Sequence, residues 1–370
     1  MTSSQGPAER GTDESAVRWQ PDKFLDRYEV ATIGLRPDPD RQDPITATLV
    51  RRPAGDHHAE NGAVLYVHGF TDYFFHEPLA DHFADLGYAF YAIDLRKCGR
   101  SLEPQHTPHY ATDLRVYDEE LGAALDIIID DLGPQTPVII SAHSTGGLIT
   151  ALWLDRLRRD DPDRHRRVVG LLLNSPWLDL QGEALLRTFP VTLLIAAVAA
   201  ARPMTVIPQE LSAAYGESIH ESANGEWSYD LDKKPLGGFP VTFGFLNAVR
   251  TAQRHLHHGI DVGVPSLVLR SDKTHFSRHY SAAADAADAV LDVAQIARWS
   301  GCLGNRVTTV PIGDARHDVF LSVPHAREQA YREVDAWLSS VLGVSVPDTP
   351  DRDTPSADRP SADVPSTERP

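Results

Sequence analysis

The chain has 370 residues, 42% apolar and 24% charged, ordinary proportions for a globular protein and enough length for one large α/β domain with an insertion or for two average domains. A formal charge of −17 argues against a nucleic-acid partner, whose phosphates need Lys and Arg, and against docking on anionic lipid by charge alone; it reads as a solubilising surface. Cys98 and Cys302 are the only cysteines, which fits a reducing, cytoplasmic compartment, and no stretch reads as a secretion signal.

The first segment, 1–25, is polar and Gly/Ser-rich at its start and is expected to be flexible. Asp26–Leu35 and Ile45–Arg51 alternate in polarity, as an antiparallel edge would. Then come short, nearly continuous apolar runs at Ala63–Val67, Ala89–Ile93, Val138–Ile140, Val168–Leu173, Ser266–Leu269 and Val307–Pro311, which suit strands buried on both faces of a parallel sheet. Amphipathic stripes fill the gaps. Leu79, Phe83 and Leu86 share a face that stops at Gly87; Leu114, Tyr117, Leu121, Leu125 and Ile128 form a second stripe. Ser322 and Pro324 open a last helix through Tyr331, Val334, Trp337, Leu338 and Val341. Strand–helix alternation of this kind predicts a doubly wound, mostly parallel α/β sheet.

The alternation fails over 178–261, so the core is expected in two parts, 26–177 and 262–343, with 178–261 inserted between them as helices over the C-terminal edge of the sheet. Phe189–Ala201 is the longest apolar run and falls short of the roughly 20 residues that cross a bilayer, so it reads as a buried or interfacial helix. No stable membrane insertion is expected, and transient contact with a lipid surface stays open. Residues 344–370 carry a proline at every fifth position from Pro350 and read as a solvated, disordered tail.

The segment Val138-Ile-Ile-Ser-Ala-His-Ser-Thr-Gly-Gly-Leu148 takes an apolar strand through a small-residue turn into a helix. This is the setting of a nucleophile elbow, with Ser144 at the bend and small residues, Ala142 and Gly146, two positions either side where strand and helix pack closely. The Thr145 N–H would then help to hold an oxyanion. The strand Ala63–Val67 ends in His68-Gly69-Phe70, and Gly69 lets the backbone present the Phe70 N–H as a second donor, each worth roughly 3 kcal/mol of barrier. A general base belongs after the last strand, where His317 stands among 17 histidines in the right place. His255, His257 and His258 read as a polar helix face, and His57 and His58 as a loop; neither group has metal-ligand spacing, so no metal and no cofactor are expected. The acid that orients the imidazole is open between Asp272, directly after Ser266–Leu269, Asp288, and Asp292.

With these residues placed, the chain resembles the monoacylglycerol lipase and lysophospholipase branch of the α/β-hydrolases, grouped also with serine aminopeptidase-like sequences. The resemblance spans about Asp26 to Leu342. It rests on Val67-His-Gly-Phe70, Asp94-Leu-Arg-Lys-Cys-Gly99-Arg-Ser101, Ala142-His-Ser-Thr-Gly-Gly147 and Gly313 to His317. It departs from the family pattern at Ala142, at Lys97-Cys98 in place of Gly-His, and in an extra loop before Asp288. The resemblance implies the α/β-hydrolase fold with a helical cap over 178–261. It also implies Asp288 as the acid, since Asp288-Ala-Val-Leu matches the family's Asp-x-hydrophobic-hydrophobic segment and Asp272-Lys-Thr-His does not. The implied activity is hydrolysis of a small-molecule, lipid-like ester. The rivals are a peptidase or amidase on the same scaffold and a catalytically silent binding protein.

Overall fold

The computed structural model describes residues 17–53, 59–181, 189–208 and 211–345. His57, His58, the start of the 1–25 segment and the tail beyond Ser345 lie outside them. In chain order the strands are β1 (Gln20–Pro21), β2 (Glu29–Gly34), β3 (Thr46–Arg51), β4 (Gly62–Val67), β5 (Tyr88–Asp94), β6 (Val138–His143), β7 (Val168–Asn174), β8 (Ser266–Ser271) and β9 (Val307–Ile312). The helices are α1 (Glu77–Asp85), α2 (Asp118–Leu132), α3 (Thr145–Asp160), α4 (Pro162–His165), α5 (Phe189–Ala201), α6 (Ala214–Ile219), α7 (Phe243–His257), α8 (Val293–Trp299) and α9 (Pro324–Leu342).

Among the described residues the nine strands form one sheet in the order β1-β2-β3-β5-β4-β6-β7-β8-β9. The first three pair antiparallel, β3 meets β5 antiparallel, and every pairing from β5 to β9 is parallel. The six apolar runs are the six parallel strands, and the two alternating segments are β2 and β3. Sequence and fold therefore agree on an α/β-hydrolase sheet. The reason is physical: β4, β6 and most of β7 are covered on both faces, which selects apolar side chains along most of their length. β9 differs. It lies at the sheet edge with Thr308 and Thr309 exposed, which the Val307–Pro311 run did not announce. β1 and Asp22, which pairs with the buried Arg100 guanidinium, fall inside the segment 1–25.

The chain starts the parallel sheet in its middle, at β4, steps to β5 on one side, then crosses back past β4 to β6. Right-handed crossovers in opposite directions put the connecting helices on opposite faces. One core accordingly joins Leu121, Leu125 and Ile128 of α2 to Leu148 and Leu152 of α3 and Val249 of α7. The other joins Leu79 and Phe83 of α1 to Val334, Trp337 and Leu338 of α9. β4, next to the crossing point, ends at the loop that carries Phe70, and its neighbour β6 ends at Ser144. Between β7 and β8 the described chain carries α5, α6 and α7.

The Asp94–Ser101 loop explains one departure from the family pattern. Lys97 stands where the pattern has glycine and takes φ 60, a left-handed backbone that glycine adopts freely. Its ammonium is buried against Asp38 Oδ2 at 2.8 Å, so an ion pair holds a conformation the side chain disfavours.

Candidate active site

Ser144 follows the last residue of β6 and opens α3 with φ 52 and ψ −117. Its own N–H donates to Asn174 O at 3.0 Å, and its carbonyl accepts the Gly147 and Trp177 N–H groups at 3.0 Å each, so the bend is fixed from both sides. The tightness of this corner accounts for its small residues. A Cβ on Gly146 would lie 2.4 Å from His68 O and 2.7 Å from Val67 O, backbone atoms at the end of β4. Ala142, two residues before Ser144, is fully buried within the sheet; its methyl is accommodated.

His317 follows β9 after a short turn. Its Nε2 lies 3.0 Å from Ser144 Oγ and its Nδ1 lies 3.0 Å from Asp288 Oδ2. Asp288 is fully buried, and its other oxygen accepts the N–H groups of Val290 and Leu291 at 2.8 and 2.7 Å, which fixes the carboxylate's rotation. Of the three acidic candidates, the fold brings Asp288 to His317. Asp272 is exposed, its Oδ1 accepting the Asp314 N–H at 3.3 Å; Asp292 caps α8 by accepting the Ala294 N–H at 3.0 Å. Helix α8 starts at Val293, after a separate turn that the Asp288 carboxylate closes on Val290 and Leu291.

The extra loop before Asp288 closes on itself. Asp288 N–H donates to Lys273 O at 3.0 Å and His275 N–H to Asp288 O at 2.9 Å, so the excursion leaves and returns at one point and delivers the acid to the sheet edge. Arg316, beside His317, donates to Asp285 Oδ1 at 2.8 Å and ties this loop to the histidine's own.

Phe70 follows the Gly69 bend; a Cβ on Gly69 would stand 2.9 Å from Ser144 Cβ, so loop and elbow touch. Neither the Phe70 nor the Thr145 amide has a protein acceptor among the described residues. The Phe70 ring stacks on Phe245 of α7 with centroids 4.9 Å apart. Beside these rings lies a small cavity lined by Phe70, Thr145, Ile149, Tyr117, His109 and Phe245. The earlier histidine cluster is elsewhere. At the end of α7, His257 stacks on Trp299 and its Nε2 lies 2.8 Å from Leu178 O.

Sequence reasoning missed a set of buried polar residues behind Ser144. Asp72 lies between Lys234 Nζ, 2.7 Å from Oδ1, and His143 Nδ1, 3.1 Å from Oδ2. Burial alone would raise the Asp72 pKa; the Lys234 ammonium, and then His143, outweigh it and hold the carboxyl well below the usual range. Asp318 accepts from Asn174 Nδ2 at 2.6 Å on the same side. Such a charge so deep under apolar strands is visible only once the chain is folded.

An Asp–His–Ser relay of this geometry, at the C-terminal edge of the parallel sheet, can deprotonate a hydroxyl for attack on a carbonyl. Residues 58–295 match the family described as serine aminopeptidase, S33, a span that includes Ser144 and Asp288 and stops before His317. The chain belongs to this family. No curated protein sequence is significantly similar to it. Among solved structures, a soluble variant of monoglyceride lipase from Saccharomyces cerevisiae superposes with a TM-score of 0.57 at 14% identity, over 92% of this chain and 99% of that one. Monoacylglycerol lipase from Paleococcus ferrophilus gives 0.56 at 18% identity, over 77% and 96%. A thermostable carboxyl esterase from Bacillus coagulans gives 0.56 at 12%, over 85% and 98%. At these identities the likeness is one of fold, and that fold is the α/β-hydrolase fold.

Proposed function

We propose that the chain is a serine hydrolase that cleaves carboxylic esters through an acyl-enzyme on Ser144, with lipid-like esters of the monoacylglycerol or lysophospholipid type as substrates. The observation that carries this reading is the unbroken relay from Asp288 through His317 to Ser144 Oγ, each contact 3.0 Å long.

His317 Nε2 takes the proton as Ser144 Oγ bonds to the ester carbonyl carbon. The carbonyl electron pair moves onto oxygen, where the Phe70 and Thr145 N–H groups receive it. Collapse breaks the ester bond, and His317 gives its proton to the departing alcohol. Water then enters, loses a proton to His317 and attacks the acyl carbon; the acid leaves and the proton returns to Ser144. Asp288 keeps Nδ1 protonated and stabilises the imidazolium without itself changing charge.

The insertion 178–261 acts as a cap in this reading. Its helix α5 presents Leu193 and Leu194 at 54% and 62% exposure, an apolar surface suited to an acyl chain or to passing contact with lipid. Among the described residues no helix is long and apolar enough to cross a membrane. The two free cysteines suit a cytoplasmic setting. A second reading, amide hydrolysis, draws on the family's description as serine aminopeptidase. A panel of p-nitrophenyl esters of rising chain length beside amino-acid p-nitroanilides tests both. Ester turnover should exceed anilide turnover, favour the longer acyl chains, and vanish in Ser144→Ala; ester turnover surviving in Ser144→Ala overturns the assignment.

A further inference from the structure

The segment Trp227–Phe239, between α6 and α7, runs antiparallel along the loop that follows Phe70. Phe239 N–H donates to Thr71 Oγ1 at 2.9 Å, Lys234 Nζ to Asp72 Oδ1 at 2.7 Å, and Asp230 N–H to Tyr73 Oη at 2.8 Å. The Tyr229 ring then packs on Phe75 at 4.8 Å, and Trp227 meets His76 edge-on at 5.4 Å. Partners on the loop rise from 71 to 76 while those on the strap fall from 239 to 227. The two segments form a continuous clasp.

Lys234–Asp72 is the ion pair in this clasp, with exposures of 5% and 3%. Its influence reaches the chemistry by three short links. Asp72 lies two residues beyond Phe70. Its Oδ2 faces Nδ1 of His143, the residue before Ser144, at 3.1 Å. His143 Nδ1 in turn lies 3.9 Å from Asp318, the residue after His317, and the His143 and His317 rings are 4.8 Å apart. Thr71, between Phe70 and Asp72, holds φ 52, a backbone that needs partners to persist.

We propose that Lys234 is a positioning residue of the active site: its ion pair with Asp72 sets the Phe70 amide against Ser144, so that seating the strap assembles the oxyanion hole. This rests on the serine-hydrolase reading above. Without the ammonium, Asp72 is a buried anion left with His143 as its one close partner, and the loop relieves it by shifting toward water. That shift carries the Phe70 N–H with it. An oxyanion donor acts on the transition state alone, so the damage falls on kcat and spares KM.

The test compares wild type, Lys234→Met, Thr71→Ala, Ser144→Ala and the double variant Asp72→Asn/Lys234→Met on a p-nitrophenyl ester, with the Ki of a trifluoromethyl ketone ester analogue. Lys234→Met should lose about a hundredfold in kcat, as a misplacement of about 1 Å does, with KM nearly unchanged and the ketone Ki rising in parallel with the loss of kcat/KM. The double variant, which removes the stranded charge, should recover about tenfold of that kcat, the non-additivity expected of one network. A strap that merely seats the substrate gives a raised KM, an unmoved kcat and no recovery, and that result overturns the proposal. If Lys234→Met does not fold, Thr71→Ala decides, since it cuts the adjacent bond without exposing a charge; an unchanged kcat there overturns it equally. Failure of the parent reading is distinct: wild type then hydrolyses no ester, or Ser144→Ala hydrolyses it as well.

Discussion

At the scale of single residues, the site trades backbone comfort for reach. Ser144 with φ 52 and ψ −117 sits where a side-chain-bearing residue is strained by roughly 1–3 kcal/mol, and the bonds to Asn174, Gly147 and Trp177 hold it there. The bend lifts Oγ above the strand ends and aims it at His317. In the proposed relay His317 acts in the tautomer with hydrogen on Nδ1, which the acceptor-only Asp288 carboxylate specifies, its other oxygen held by two amides. Asp288→Asn can present its amide NH₂ to Nδ1 and reverse the tautomer. We expect kcat to fall about 10⁴-fold with the fold intact, as such a swap does in serine proteases. Steady-state kinetics beside a thermal melt check this; a loss under tenfold would remove Asp288 from the relay. Asp272 is the nearer candidate along the chain, and only the resemblance to the family's Asp-x-hydrophobic-hydrophobic segment favoured Asp288 in the sequence. The closed pairing of Lys273 and His275 with Asp288 separates them in space.

At the scale of elements, the corner between β4 and the start of α3 sets the tolerance of the site. Gly146 is required here for closeness. Its neighbours within 3 Å of an added Cβ are the carbonyl oxygens of Val67 and His68, which belong to the end of β4 and cannot rotate away as a side chain would. Gly146→Ala should therefore push α3 off β4, destabilising the chain by about 1–3 kcal/mol or more. Denaturant unfolding measures the first effect, and ester turnover should fall with it, because Ser144 and Phe70 move apart. A variant with wild-type midpoint and wild-type kcat would show that this corner has slack. The elements flanking the corner were legible from sequence, since buried parallel strands leave long apolar runs and amphipathic helices leave stripes. The strap Trp227–Phe239 was not. It is irregular and mixed in polarity, and its order comes from the loop it clasps.

At the scale of the whole molecule, the sheet order brings the ends of β4, β6, β8 and β9 into one neighbourhood and places buried titratable groups around it. His76, packed among Trp227, Phe75 and Phe320, is fully desolvated; burial pushes its pKa down to about 4, against the smaller upward pull of Asp318 and Asp72. The folded state thus keeps His76 neutral where the unfolded chain, with its ordinary value of 6.5, takes up a proton. Between about 4 and 6.5 the unfolded state binds more protons, so stability rises with pH through that window and is lost as pH falls through it, by up to about 3 kcal/mol from this group. Unfolding free energies at pH 5, 6 and 7.5 should show His76→Phe with a shallower acid slope than wild type; equal slopes would show that His76 is not the buried neutral group it is taken for.

By itself the sequence determined the α/β-hydrolase architecture, the serine at the bend and the histidine after the last strand, because each leaves a local mark: an apolar run, a small-residue turn, a position in chain order. The tertiary structure decided which aspartate meets His317, how Lys97 replaces a glycine, and where Lys234 goes. Those outcomes depend on contacts between residues 29 to 162 positions apart along the chain. Neither periodicity nor spacing encodes such contacts; they follow from which strand ends the crossovers bring side by side and which charges are left without water there.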